Sequence, residues 1–140
     1  MKPVDSRDGT DCLSCCIASI LELDYENVPN FMRDNADTQL AWSATQKWLM
    51  EEQSLFIVLM FALYPLNDIA LRNAHGYHII IGTKPDRIDD DNSHAVVGYN
   101  GAAVFDPCQT RKGVWPLEPA HPGDKQNGHY MLGFFSKYFE

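Results

Sequence analysis

The sequence predicts an α+β domain, with helices gathered near its start and an antiparallel sheet after them. Three observations carry that expectation. Apolar residues recur at three- and four-residue spacing in two early segments, later apolar segments are short and rich in Val, Ile, Phe and Tyr, and Asn100-Gly101 separates two of these as a hairpin turn does. A chain of 140 residues suits a single domain over residues 1–140, and a hydrophobic content of 45% is enough to fill its core.

Taken in order, a first helix is expected from about Cys12 to Leu23. Asp11 or Thr10 can cap it, and Leu13, Ile17, Ile20 and Leu21 form its apolar face. A turn-rich link through Pro29 and Asn30 leads to a second helix over Thr38 to Glu52, whose stripe is Leu40, Ala41, Ala44, Trp48 and Leu49. Ser54 to Leu63 has the unbroken apolar character of a buried strand, although periodicity alone also permits a continued helix. Asn67 to Asn73 fits a short helix, and Gly76 to Thr83 a strand ending at Lys84-Pro85. Asp86 to Asn92 reads as a solvated acidic loop, because it lacks the glycine and terminal glutamate of an EF-hand. The His94–Tyr99 and Ala102–Asp106 strands follow, then a loop over Pro116 to Asn127 and a closing strand over Tyr130 to Phe139.

The chemistry starts at Cys12. A thiol in the first turn of a helix meets unpaired amides and the positive end of the helix dipole, which favour a thiolate and lower a pKa from its free value of roughly 8.5. The same amides can receive an oxyanion. Cys16, one turn on, is expected in the core, and Cys15 has no evident role. Downstream, His94 opens one strand and Asp106 closes the next. A two-residue loop of Asn100-Gly101 sets His94 opposite Pro107 and turns His94 and Asp106 to opposite sides. A three-residue loop of Tyr99-Asn100-Gly101 pairs Gly98 with Ala102 and brings His94 directly opposite Asp106, so the second register is the expected one.

The Asp11-Cys12 helix, the His94-Ala95-Val96-Val97 strand and the Phe105-Asp106-Pro107 strand end together resemble the papain-like cysteine peptidase superfamily, specifically its small bacteriocin-processing, leader-peptidase-like branch. The run from Cys12 to Leu23, then Glu26-Asn27-Val28-Pro29-Asn30-Phe31 and a Trp-containing helix, is similar to small uncharacterised proteins of bacteria and their phages. The likeness spans about Pro3 to Pro107, and the order and spacing of short motifs carry it. It implies a papain-like fold, a nucleophile at Cys12, a general base at His94 and an orienting acid at Asp106, with no cofactor or metal. One position departs from the pattern: a glutamine that such enzymes place about six residues before the nucleophile is here Ser6. Ser6 becomes the candidate oxyanion donor beside the Cys12 amide, and loss of one such donor lowers rates by roughly 10²–10³.

The expected function is therefore a cytoplasmic thiol protease-like hydrolase or acyltransferase. It would act on an amide, isopeptide or thioester bond of a peptide or acyl substrate, which a host protein could supply, through a Cys-His-Asp catalytic triad and an acyl-enzyme. The net charge of −8 and the lack of a basic stripe beyond Arg111-Lys112 exclude a nucleic-acid surface. The start of the chain carries no apolar signal segment, and the run Leu55 to Leu63 is too short to span a bilayer. Two alternatives compete. One is a phage or bacterial binding or inhibitor protein on a peptidase-like scaffold, with weak or no catalysis. The other is a zinc or redox site from Cys12 and Cys15 completed by Cys108, His121 and His129, which is weakened by the missing second close pair of a zinc ribbon and by the absence of a strand before Cys12.

Overall fold

A computed structural model describes residues 1–63, 76–82, 94–108 and 129–137, and in these the chain is α+β. Helix α1 covers Cys12–Leu21 and is followed by a single 3₁₀ turn, Tyr25–Asn27. Helix α2, Thr38–Trp48, runs on without a break into a π turn, Leu49–Gln53. The strands are β1 (Leu55–Leu63), β2 (Tyr77–Gly82), β3 (His94–Tyr99), β4 (Ala102–Phe105) and β5 (His129–Lys137). The expected short helix at Asn67 to Asn73, the acidic loop at Asp86 to Asn92 and the loop at Pro116 to Asn127 lie outside the described residues, as does His121.

Each helix end has a local cause. α1 stops where Glu22 turns left-handed (φ 56°) and returns its amide to the Ala18 carbonyl, short of the expected Leu23. At α2 the Asp37 carboxylate accepts the Leu40 amide at 2.8 Å, a side-chain N-cap. Ser54, also left-handed (φ 53°), closes the π turn and releases the chain into β1. The buried line of α2 and its π turn is Ala41, Thr45 and Leu49, while Leu40, expected in the stripe, is exposed. Gln46 ties this helix to β1: its side chain donates to the Ile57 carbonyl at 3.1 Å and accepts the Ile57 amide at 2.8 Å.

These five strands form one antiparallel sheet in the order β1-β5-β2-β3-β4, so among the described residues the last strand in sequence is inserted between the first two. One face carries Ile79, Ile81, Ala95, Val97 and Phe105 and packs with Leu13, Cys16 and Ile17 of α1, and with Phe31, Leu49 and Ile57. Burying one such aliphatic side chain contributes about 1.5–3 kcal/mol, which explains how a ten-residue α1 is held although it is too short to persist alone. By alternation the other face receives His78, Ile80, Val96, Gly98 and Leu132, which are also buried.

The β3–β4 hairpin corrects the expected register. Its loop is the two residues Asn100-Gly101, both at positive φ (50° and 86°), as a type I′ turn requires, and Tyr99 pairs with Ala102. A bulge follows: Gly98 pairs with Ala103 but Val97 pairs with Phe105, which leaves Val104 as the extra residue. His94 and Asp106 still meet, at 2.8 Å, but across a hairpin with a bulge after its turn and not with a three-residue loop.

Candidate active site

Three stretches of chain converge at one end of the sheet. The segment entering α1 is fastened to the segment leaving β4, because the Ser6 amide donates to the Pro107 carbonyl at 2.9 Å. His94, first residue of β3, stands at the same end and is 2% exposed. Its Nε2 lies 2.8 Å from Asp106 Oδ1. The same carboxylate oxygen accepts the Cys108 amide at 2.8 Å, which fixes the orientation of the acid before it meets the ring. With Nε2–H donated to Asp106, the basic lone pair of the neutral imidazole is on Nδ1.

Cys12 is the first residue of α1 and is half-buried, whereas Cys15 and Cys16 are fully buried. Burial, reinforced by nearby charge, pushes both buried thiols well above the ordinary range; for Cys16 the charges are those of Cys12, Cys15, Asp106 and Cys108. The Ser6–Pro107 bond ties the segment that leads to Cys12 to the segment that carries Asp106. The Cys15 thiol donates to the Asp5 carbonyl at 3.5 Å.

The helix start differs from expectation in one respect. Asp11 occupies the N-cap position but its side chain makes no capping bond. The carboxylate turns back instead and, 1% exposed as a residue, accepts from the Ser6 hydroxyl, from the Arg7 amide at 3.0 Å and from the Tyr25 hydroxyl at 2.7 Å. Burial pushes this carboxyl up, but the three donors outweigh it and hold it below the usual carboxylate value. The bond to Asp11 in turn pushes the Tyr25 phenol up to about 12. Arg7 covers the Tyr25 ring at 3.9 Å and pairs with Glu26 at 3.0 Å. The Ser6 hydroxyl gives its proton to Asp11 and accepts the Gly9 amide at 3.0 Å, so it braces the loop before Cys12.

Cys108 is the residue near the site whose place the sequence did not reveal. The ligand atoms of His94, Asp106 and Cys108 lie within 4.8 Å of one another. The Cys108 amide, bonded to Asp106 Oδ1 in the turn that follows β4, holds Cys108 against the pair. Among the described residues no helix is long and apolar enough to cross a membrane. No family model, curated protein or solved structure matches the chain.

Proposed function

We propose that this protein is a cysteine hydrolase or acyltransferase of papain-like type, acting on an amide, isopeptide or thioester carbonyl. The observation that carries the reading is the buried His94–Asp106 pair at 2.8 Å, held at the sheet end where α1 begins with Cys12. A carboxylate on Nε2 keeps the ring in the tautomer whose Nδ1 can take a thiol proton, and it stabilises the imidazolium that results. Cys12 attacks the carbonyl, the first-turn amides that Asp11 leaves uncapped receive the oxyanion, and protonated His94 returns its proton to the leaving group. The thioester acyl-enzyme then passes its acyl group to water or to an amine. Cys15 and Cys16 are excluded as nucleophiles by burial and by their raised thiol pKa values.

The test is acylation by an activated ester, with the modified residue located by mass spectrometry. Acyl transfer to Cys12 is expected in the wild type and in Cys15→Ala. His94→Ala should lose about as much rate as Cys12→Ala, with Asp106→Asn milder because an amide still orients the ring. Acylation confined to another residue, or a His94→Ala rate equal to wild type, is the outcome that rejects the reading.

A further inference from the structure

We propose that His94, Asp106 and Cys108 form a three-ligand site for a thiophilic divalent cation of the zinc class. The donors are an imidazole nitrogen, a carboxylate oxygen and a thiol sulfur, mutually within 4.8 Å. Zinc bonds of about 2.0–2.3 Å in tetrahedral geometry require ligand separations of about 3.3–3.7 Å, so closure asks for movement on the order of an ångström. The imidazole nitrogen and the carboxylate oxygen already stand at 2.8 Å. One carboxylate with a sulfur and a nitrogen suits zinc and disfavours calcium or magnesium, which require mostly oxygen. His94 and Cys108 are buried, and Asp106 is the half-buried member, so the ion would enter along its side. The sequence suggested no metal at this triplet; the zinc alternative considered there joined Cys108 to Cys12, Cys15, His121 and His129, not to His94 and Asp106.

Protons balance as follows. The Cys108 thiol binds as thiolate and releases its proton to solvent. The proton on His94 Nε2 gives way to the metal, and the ring is held as the Nδ1–H tautomer. A ring protonated at Nδ1 has no lone pair for the Cys12 proton, so an occupied site switches off the acid–base pair. That consequence rests on the hydrolase reading, whereas the site itself does not.

The experiment is a titration of the full-length reduced protein with Co²⁺, a coloured substitute for zinc. A thiolate-to-cobalt charge-transfer band and intense visible bands are expected at one equivalent and should be displaced by Zn²⁺. They should persist in Cys12→Ser, disappear in Cys108→Ser and His94→Ala, and require more than about 10-fold more Co²⁺ in Asp106→Asn. No band in the wild type, or a band that survives Cys108→Ser and vanishes in Cys12→Ser, overturns the proposal. Zinc X-ray absorption on the wild-type protein decides the matter even if a variant fails to fold. One sulfur at about 2.3 Å among nitrogen and oxygen ligands is expected, and none or two or more refutes the site. Neither readout needs turnover, so loss of the metal site and loss of Cys12 acylation are separate results.

Discussion

Replacing Asp11 by Ala removes the carboxylate that organises the loop before the candidate nucleophile, and its cost can be worked from the contacts. Three donors point at it: the Ser6 hydroxyl, the Arg7 amide and the Tyr25 hydroxyl. Hydrogen bonds to a charged acceptor are worth about 1.5–3 kcal/mol each, but the simple sum overshoots. The two hydroxyls belong to partly exposed residues and can turn to water, and deleting the carboxylate also removes the cost of keeping it dry. About 1 kcal/mol for each hydroxyl and about 1 for the stranded amide gives about 3 kcal/mol, or a drop in Tm on the order of 10 °C for a chain of this size. Urea unfolding followed by tryptophan fluorescence measures it, with an unchanged m-value as the check that the unfolded state is unaltered. The pH dependence has a definite sign. Because the folded carboxyl titrates below its unfolded value of about 3.9, the gap between wild type and Asp11→Ala is constant above that pH, and it closes as pH falls through the folded pKa. A loss below about 1 kcal/mol, or a gap that does not change on acidification, refutes the role given to Asp11.

Further predictions concern the second face of the sheet. A Cβ at Gly98 would sit 2.5 Å from His78 Nε2 and 2.8 Å from Ile80 Cδ1, so Gly98→Ala should destabilise by about 1–3 kcal/mol in the same urea assay. His78 is fully buried, with Nδ1 donating to the Gly76 carbonyl at 3.0 Å and Nε2 without a partner among the described residues. Burial lowers its pKa, so the unfolded chain binds the proton first. Stability should therefore fall as pH drops below about 6.5 until the folded pKa is reached, and His78→Leu should show a flatter pH profile in that window. Tyr25→Phe, which removes one donor to Asp11, should cost about 1 kcal/mol and lower the midpoint of urea unfolding accordingly.

What the sequence revealed depended on how local the determining interaction is. The helix start at Cys12 is decided within a few residues and is where the pattern placed it; the strand expected from Ser54 begins one residue later, at Leu55, and Asn100-Gly101 is a turn, though a two-residue one. The hairpin register was misread because the bulge at Val104 has no marker in Ala-Ala-Val-Phe; it arises where the strand has to regain its pairing with Val97. Nothing local placed Cys108 with His94 and Asp106 either. The direction of Asp11 was equally illegible, since the donors that draw it away from the helix include Tyr25, which reaches it only after the chain has passed through α1 and turned. Nor could any local rule show that β5 inserts between β1 and β2, strands far before it in the sequence. Of the candidate site, the His94–Asp106 pair was visible as two residues on neighbouring strands, and the structure brings them to hydrogen-bonding distance.

The central claim is that His94 activates Cys12, and the rate of alkylation of Cys12 in the native protein tests it most directly. Iodoacetamide added near neutral pH, with each cysteine followed by mass spectrometry, should modify Cys12 far faster than Cys15 or Cys16, whose thiols are buried and hard to ionise. His94→Ala should slow Cys12 alone, leaving the folded protein otherwise intact. Contradiction would take the form of Cys12 labelling only after denaturation, or at the same rate with and without the His94 ring.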